Sequence, residues 1–315
     1  NVQYVAISPD MLQAPHNPDD EIDLRELWNA IWSGKWVIIA VTALFAIASV
    51  FYALSLPNIY KSEALLAPAD SEQQGGLAGL AGQFGGLASI AGVNLGDAKA
   101  DKSTLALEIL KSRDFLSRFI KKHDILPNLM GLKGWDIGKK KLIYNDEIYS
   151  VDTETWVRDA KLLKGAKPSL QEAKREFDRI FRVEKNAETG MINLSIQHYS
   201  PYVAKSWVEW LVEDINTDMK ERDKQDAENS IMYLQSQIEK TSVLEHRTLL
   251  YQLIEEQAKT LMFAEVRKEY IFKTVDPAIL ADEKYKPNKI LLIIIAIILG
   301  GILSCLYVVL FSSKN

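Results

Sequence analysis

The sequence predicts an α+β protein in which two transmembrane helices flank a central domain with a small membrane-proximal sheet and very long extended helices. Three features support this class. Residues 36–56 and 290–311 are uncharged and apolar, and each has the length of about 20 helical residues that crosses a bilayer. Short segments between them alternate apolar and polar residues as strands do. Residues 202–276 contain neither Gly nor Pro, as expected of long helices. A buried helix of a soluble core is the alternative for either apolar run.

The composition narrows the class of protein further. The net charge of −5 gives no indication of nucleic-acid binding. The only cysteine, Cys305, lies inside the second apolar run, so no disulfide can form within the chain. The first run does not read as a cleaved signal peptide, because 35 polar and mostly acidic residues precede it.

Residues 1–35 are predicted to form a tail that ends in an interfacial helix. Residues 1–20 are polar and contain three prolines, a composition typical of disorder. Residues 21–33 place Leu, Ile and Trp at helical spacing, and tryptophans favour the headgroup level of a membrane. A simple extension of the first transmembrane helix is the alternative.

The chain after the first span is predicted to contain a strand, a glycine-rich segment and a helix. Pro57 ends the span, and residues 60–67 read as a strand. Residues 75–96 hold eight of the 16 glycines without a phosphate-binding spacing, so we expect a flexible apolar loop or a poorly ordered insertion. Residues 101–124 read as one helix. Its apolar face carries Leu105, Ile109, Leu116, Phe119 and Ile120.

A loop, a capped helix and a β-hairpin follow. Residues 130–151 read as a loop with short strands. Ser169 and Glu172 have the spacing of a capping box, which predicts the start of a helix. Residues 181–185 and 191–198 read as two strands joined by a tight turn.

One or two very long helices are predicted over residues 201–268. Pro201 suits the first helical position, and a break is expected near residues 240–242. The apolar stripe of the first helix is interrupted at residues 220–230, which are almost entirely polar. Polar side chains in mid-helix cannot rest on a core, so they are expected to project into solvent or face another subunit. The residues assigned to this oligomer surface are Lys220, Glu221, Arg222, Asp223, Lys224 and Asp226.

Two further patterns concern the return to the membrane and the spans themselves. A strand at residues 270–275 is expected to complete the small sheet and to lead into a membrane-proximal segment marked by Pro277 and Pro287. Small residues in both spans are predicted to let helices approach closely, within one subunit or between two. These residues are Gly300, Gly301 and Ser304 in the second span and Ala46, Ser49 and Ala53 in the first. Ordinary membrane-helix composition is the alternative.

No motif for catalysis or cofactor binding is present in the sequence. The four histidines lie far apart without metal-ligand spacing, and neither GxSxG nor a Walker sequence occurs. The many acidic residues fall on predicted helix surfaces, where solvation is the ordinary role. We therefore predict a protein without enzymatic activity, cofactor or metal.

The order of these features resembles the Wzz family of polysaccharide co-polymerases, the chain-length determinant proteins of Gram-negative bacteria. EIDLRELWNAIWSGKW before the first span, PNIYKSEALLA after it, the charged long helix and VDPAILADEKYKPNKILLIIIAIILGG at the second span carry the resemblance. Pro277, Pro287, Gly300 and Gly301 match the family pattern, whereas Ser304 stands where a further glycine is typical.

The resemblance implies the location, partners and function of the protein. The domains are a cytoplasmic tail 1–35, spans 36–56 and 290–311 in the bacterial inner membrane, a periplasmic domain 57–289 and a cytoplasmic tail 312–315. The implied assembly is a homo-oligomeric ring that works with a membrane polymerase, either touching the growing lipid-linked glycan or restraining the polymerase. The implied function is non-enzymatic control of the chain length of O-antigen or a similar glycan, as in the kinase-free class. The numbers of lysines and arginines near the spans do not decide on which side of the membrane the central domain lies.

Two other functions stay open at the level of the sequence. One is an export adaptor for capsule or exopolysaccharide that works with a separate tyrosine kinase. The other is a two-span periplasmic sensor, which the short cytoplasmic tails disfavour. A neighbouring kinase gene would favour the adaptor, whereas neighbouring polymerase and flippase genes would favour the chain-length regulator.

Overall fold

The computed structural model describes residue 28 and residues 31–69, 102–159 and 165–312 of the chain. Of the predicted interfacial helix, only Trp28 and residues 31–33 are described, and they are helical. The glycine-rich residues 75–96 lie outside the described residues. The chain divides into two units, one formed by the residues up to Leu56 and from Asn288 onward, the other by Pro57–Pro287.

The described chain mixes helices with short strands. The helices, in chain order, are α1 Lys35–Ser55, α2 Lys102–Lys111, α3 Arg113–Lys122, α4 Leu126–Met130, α5 Leu170–Ile180, α6 Pro201–Lys240, α7 Leu244–Val266 and α8 Lys289–Ser312. The strands are β1 Tyr60–Pro68, β2 Leu132–Asp136, β3 Lys141–Tyr144, β4 Tyr149–Ser150, β5 Thr155–Trp156, β6 Phe181–Lys185, β7 Ile192–His198 and β8 Phe272–Asp276. The predicted α+β class with two apolar helices and very long helices is confirmed. The membrane-proximal position of the sheet stays a prediction.

The first unit contains a pair of antiparallel apolar helices, α1 and α8. Gly34, just before α1, lies beside Val308 near the end of α8, whereas Phe45 lies beside Gly300. As residue numbers rise along α1, the residues that they contact on α8 have falling numbers, so the two helices are antiparallel. α1 ends at Ser55 because the chain turns to extended geometry ahead of a proline, as the sequence predicted.

The second unit is built on a four-stranded antiparallel sheet with the strand order β6–β7–β1–β8. Tyr60 pairs with His198 and Leu66 with Ile192, so alternate residues of the two central strands share one face. That face is buried and the other is rich in polar side chains, as is typical of an antiparallel sheet covered on one side. The strand after α1, the hairpin and the strand before α8 thus form one sheet.

The turn of the β6–β7 hairpin depends on a glycine. Gly190 has φ of +69°, a conformation that is sterically unfavourable for residues with a Cβ. Its N–H donates to the Asn186 carbonyl (2.9 Å), and Asn186 Oδ1 accepts from the N–H groups of Glu188 and Thr189. This local bonding fixes the register of the two strands.

Helices cover the buried face of the sheet. α6 packs on β1 and β7, and its Trp207, Leu211 and Ile215 are buried in the core. α3 and α5 add aromatic rings, with 5.7 Å between the ring centres of Phe119 and Phe177 and 6.1 Å between those of Phe177 and Trp207. The first turns of α6 therefore rest on the core, as their apolar stripe predicted.

The long helix α6 continues beyond the part that packs on the sheet. Its 40 residues span about 60 Å. The chain leaves helical geometry at residues 241–243 and returns as α7, which packs against α6. The predicted length and the predicted break near residues 240–242 are both confirmed.

The single helix predicted over residues 101–124 is wrong. The chain breaks at Ser112, whose Oγ accepts the N–H of Phe115 (3.2 Å) and caps α3. The break changes which face is apolar, so that α2 buries Leu110 while Leu105, assigned to the predicted face, is exposed. A serine within a continuous amphipathic pattern gave too weak a signal for this boundary.

Candidate functional site

The face of α8 that meets α1 is formed by small and β-branched side chains. Gly300, Ser304 and Val308, each one turn apart, are buried. A Cβ placed on Gly300 would lie 2.8 Å from the Cβ of Phe45, closer than two such carbons approach. Ser304 Oγ donates to the Gly301 carbonyl (2.9 Å), so this hydroxyl is satisfied within its own helix.

The two predicted glycines have different surroundings. Gly300 lies against Phe45, whereas a Cβ on Gly301 would meet no atom of the described residues within 4 Å. Of these two glycines, Gly300 alone is therefore required for the approach of α1 and α8 within one chain. Gly301 borders open space in the part of the chain that the structure describes.

The predicted small residues of α1 lie on one face. Ala53 is buried and Ala46 and Ser49 are half-buried, whereas most residues between them are exposed. Their spacing of three and four residues is that of a single helix face. Ser49 Oγ donates to the Ala46 carbonyl (2.7 Å), whereas the buried Thr42 Oγ1, one turn before Ala46, has no hydrogen-bond partner among the described residues.

The remaining faces of α1 and α8 are apolar and exposed. Mean hydropathy over an 18-residue window reaches 2.5 in α1 and 2.9 in α8. Side chains such as Phe51, Leu303 and Leu306 are exposed, and each apolar side chain left in water forgoes about 1.5–3 kcal/mol of burial free energy. Both helices are long and apolar enough to cross a membrane.

The charged segment of α6, residues 220–230, makes more contacts with its own chain than the sequence predicted. Asp223 accepts hydrogen bonds from Lys102 Nζ (2.6 Å) and from the Tyr270 hydroxyl (2.6 Å). Lys224 pairs with Glu265 of α7 (3.2 Å). These contacts connect the middle of α6 to α2 and α7.

The other residues of the predicted oligomer surface lie farther outward. Glu221 and Asp226 are exposed and Lys220 is half-buried. Arg222 is exposed and pairs with Asp218 one turn away (2.8 Å). The segment therefore has one side against its own chain and another side accessible to solvent.

Asp218 connects α6 to α3. Its carboxylate accepts hydrogen bonds from Arg118 (2.5 Å) and Arg222 (2.8 Å). Partial burial raises the pKa of Asp218, but the bonds from the two arginines outweigh that effect and hold the pKa below its ordinary value. The ionised carboxylate thus helps to fix the direction in which α6 leaves the core.

Asn216 attaches strand β8 to α6. Its Oδ1 accepts the N–H groups of Ile271 (2.8 Å) and Phe272 (3.0 Å). Its Nδ2 donates to the carbonyls of Val212 (3.0 Å) and Phe272 (3.1 Å). The buried amide therefore makes all four hydrogen bonds available to it.

The two predicted prolines flank a segment that is bonded to the start of the second unit. Pro277 is exposed and Pro287 is half-buried. Ile59 N–H donates to the Lys286 carbonyl (2.9 Å), and the Tyr285 N–H donates back to the Ile59 carbonyl (2.8 Å). The chain that enters this unit after α1 and the chain that leaves it before α8 are thus hydrogen-bonded to each other.

A neutral histidine lies buried where β7 meets the start of α6. The Ser200 N–H donates to His198 Nδ1 (3.0 Å), so Nε2 carries the proton and donates to the Asn128 carbonyl (3.1 Å). Burial lowers the pKa of His198 from 6.5 to about 4, although both hydrogen bonds act in the opposite direction.

We expect the protein to lose stability between pH 6.5 and pH 4. Above pH 6.5 His198 is neutral in the folded and unfolded chains, so its contribution is complete. Below that pH only the unfolded chain binds the proton, until the folded pKa of about 4 is reached. The loss from this group amounts to about 3 kcal/mol.

Thermal melts of His198→Gln at pH 7 and pH 4.5 measure this effect. The melting temperature of the variant should fall less between the two pH values than that of the wild type. His246→Gln, at an exposed position on α7, is the control and should follow the wild type. An equal fall in His198→Gln and wild type would contradict the assignment.

A groove of about 690 Å³ lies between the β2–β3 hairpin and the start of α6. Its lining residues are Trp135, Lys140, Lys141, Leu142, Tyr144, Ser200, Tyr202 and Val203. This groove was not predicted, because the pattern of residues 130–151 indicates only a loop with short strands. The density of aromatic residues next to three consecutive lysines was the available signal.

The described residues offer no metal site: in residue 28 and the ranges 31–69, 102–159 and 165–312, no three His, Cys, Asp or Glu side chains are grouped to hold an ion. The ionisable side chains described above form hydrogen bonds and ion pairs with other residues of the fold. Their arrangement connects helices and strands.

The first part of the chain is similar to a known protein family. The family described as "Wzz: Chain length determinant protein" matches residues 20–123. The match confirms, for these residues, the resemblance found in the sequence. No curated protein matches the chain.

Solved structures of polysaccharide co-polymerases are also similar. A full-length bacterial polysaccharide co-polymerase is 15% identical, with 94% of this chain and 98% of that chain covered and a TM-score of 0.38. A fragment of WzzB, a polysaccharide co-polymerase from Salmonella Typhimurium, is 15% identical, with 73% of this chain and all of that fragment covered and a TM-score of 0.29.

Proposed function

We propose, from the match of residues 20–123 to the chain length determinant (Wzz) family, that this protein controls how many repeat units a membrane polymerase adds to a polysaccharide. The match is the single observation that carries the proposal. The polymer is O-antigen or a similar lipid-linked glycan, and the protein acts on it without catalysis of its own.

In this proposal both apolar helices cross the bacterial inner membrane. The exposed apolar faces of α1 and α8 and their length support two spans. Both termini lie in the cytoplasm and the domain of residues 57–289 lies in the periplasm. The membrane polymerase is then a partner within reach of the spans.

Length control further requires a frame of fixed dimensions, and the long helices supply it. α6 is held near its middle by the bonds of Asn216, Asp218 and Asp223 to β8, α3 and α2. These bonds restrict its direction, so a ring of identical subunits would have a defined size. Such a ring can restrain the polymerase or contact the growing glycan.

The exposed face of α7 supports assembly with other copies of the chain. Leu249 and Leu253 are exposed apolar side chains one turn apart on one side of this helix. Neighbouring exposed apolar side chains outside a membrane commonly mark a protein interface. We therefore place part of the contact between subunits on α7.

The double variant Leu249→Asp/Leu253→Asp tests this contact. Burying each leucine in an interface contributes about 1.5–3 kcal/mol, so two buried aspartates should separate the subunits. The mass of the detergent-solubilised protein should fall from an oligomer to a monomer. Gln252→Asp, which adds charge at an exposed polar position, is the control and should stay oligomeric. An unchanged mass in the double variant would exclude α7 from the interface.

A deletion strain tests the proposed function itself. Without the protein, polymer should still be made, but its band pattern on a gel should lose the preferred length. A plasmid copy of the gene should restore that length. A length distribution unchanged by deletion would refute the proposal, and complete loss of surface polymer would favour an export adaptor instead.

A further inference from the structure

The groove beside the β2–β3 hairpin combines aromatic rings with lysines. The ring centres of Trp135 and Tyr202 lie 5.7 Å apart with 46° between their planes. Lys140 Nζ lies 6.0 Å from the centre of the Tyr202 ring, and Lys141 lines the same groove. The groove therefore presents flat apolar surfaces and positive charge together.

Contacts within the fold hold the aromatic wall in place. Trp135 pairs with Leu142 across the hairpin ladder. Burial raises the pKa of Tyr144, so its hydroxyl keeps its proton, which it donates to Asn128 Oδ1 (2.6 Å). Because these groups are bonded already, the groove needs little reordering to receive a ligand.

The lysines of the groove make no ion pair within the described chain, although Asp136 lies opposite Lys141 in the β2–β3 ladder. Among the described residues, the ammonium groups of Lys140 and Lys141 have no ion pair. The nearby Asp136 carboxylate instead accepts the backbone N–H of Lys139 in the turn (3.0 Å). The N-terminal end of α6, which borders the groove, adds the positive end of a helix dipole.

The turn also places a lysine where folding alone would favour another residue. Lys140 has φ of +51°, in the left-handed region that Gly, Asn and Asp adopt more readily. Residues with such backbone cluster at functional sites, and Asp124 and Glu154, outside the groove, adopt it as well. The strain and the charge thus occur at the same residue.

We propose that this groove binds a short segment of an acidic polysaccharide. The apolar C–H face of a sugar ring suits the surfaces of Trp135 and Tyr202, because aromatic rings bury area while leaving polar edges wet. A carboxylate on that sugar suits Lys140 and Lys141 through charge-assisted hydrogen bonds. A ligand with phosphate alone would leave the rings unused, and a neutral glycan would leave the lysines unpaired. The identity of the natural polymer rests on the proposed function, whereas the binding does not.

Binding of defined sugars to the full detergent-solubilised protein tests the groove. The probes are a galacturonic acid hexamer and maltohexaose, a neutral hexamer, measured by isothermal titration. The acidic hexamer should bind saturably and more tightly than the neutral one. Trp135→Ala and Tyr202→Ala should each weaken binding of the acidic hexamer about tenfold. Lys140→Gln/Lys141→Gln should weaken it about fivefold to tenfold and remove the preference for acid.

Control variants separate binding from folding. Tyr202 is exposed, so its replacement leaves the core intact, and Trp135→Phe, which keeps a ring, should retain most of the affinity. Tyr233→Ala and Lys121→Gln, exposed positions outside the groove, should bind like the wild type. Absence of saturable binding of the acidic hexamer, or unchanged affinity in Tyr202→Ala, would overturn the proposal.

The groove proposal and the proposed function can fail independently, and the two experiments tell these failures apart. If the groove variants bind normally while deletion still alters polymer length, the groove proposal fails and the function stands. If deletion leaves polymer length unchanged while the groove binds the acidic hexamer, the function fails and the sugar site stands.

Discussion

Replacing Asn216 by Leu should lower the melting temperature of the protein by about 10 °C. Leucine has the same branched shape, although it is larger, and it cannot accept the N–H groups of Ile271 and Phe272, which donate to Asn216 Oδ1. The Phe272 carbonyl also loses its bond from Asn216 Nδ2. Each buried polar group left without a partner costs about 1–3 kcal/mol, and the sum is about 4 kcal/mol. Circular dichroism melts of the purified protein measure the change.

Thr217→Ala is the matched control for this substitution. Thr217 is the next residue of α6, is exposed and donates only to the Glu213 carbonyl of its own helix (2.9 Å). Its replacement should change the stability by less than about 0.5 kcal/mol. If Asn216→Leu melted within two or three degrees of Thr217→Ala, the attachment of β8 to α6 would not depend on this amide.

Replacing Gly300 by Phe should separate α1 from α8 and, under the proposed function, abolish length control. Even the Cβ of the new side chain would lie 2.8 Å from the Cβ of Phe45. Overpacking commonly costs about 1–3 kcal/mol, and two helices in lipid can avoid that cost by moving apart. In cells, the variant protein should be made, while the polymer should lose its preferred length as in the deletion strain.

A disulfide between Gly34→Cys and Val308→Cys reports the helix pair directly. In a Cys305→Ser background these positions are close enough for a disulfide: the Val308 Cβ lies 3.1 Å from a Cβ built on Gly34, and a small outward shift reaches the usual range of about 3.5–4.5 Å. After trypsin cleavage, a non-reducing gel shows whether the two helices stay joined. Gly300→Phe should lose most of the disulfide, and Gly301→Phe, which meets open space, should keep it. Equal yields in the two variants would contradict the pairing.

The parts of the fold that the sequence predicted correctly depend on neighbouring residues. The capping box of α5 is formed as expected, with Ser169 and Glu172 each accepting a backbone N–H. The hairpin follows from strict alternation and Gly190 at the turn. In both cases all the information lies within a few residues.

The parts that were missed depend on residues far apart in the chain. The segment 220–230 reads as solvated because its own residues are polar, whereas Lys102 and Tyr270, which bond Asp223, come from distant elements. The groove likewise needs Tyr202 from α6 beside Trp135 from a hairpin. Local periodicity contains no information on such pairings, so the structure was needed to find them.

The glycines of α8 show a second reason why a sequence does not predict all contacts. Gly300 and Gly301 are equivalent as small residues in a sequence, yet only one lies against α1. The rotation of a helix about its axis decides which of two adjacent glycines meets its neighbour. That angle depends on the packing of both helices together.

The periplasmic location of the central domain is the claim on which the account depends most, and cysteine labelling tests it directly. In a Cys305→Ser background, Glu188→Cys lies in the exposed β6–β7 turn and Ser8→Cys lies in the N-terminal tail. A membrane-impermeant maleimide added to intact spheroplasts should label Glu188→Cys at once and Ser8→Cys only after lysis. Labelling of Ser8→Cys in intact spheroplasts, with Glu188→Cys protected until lysis, would contradict the account.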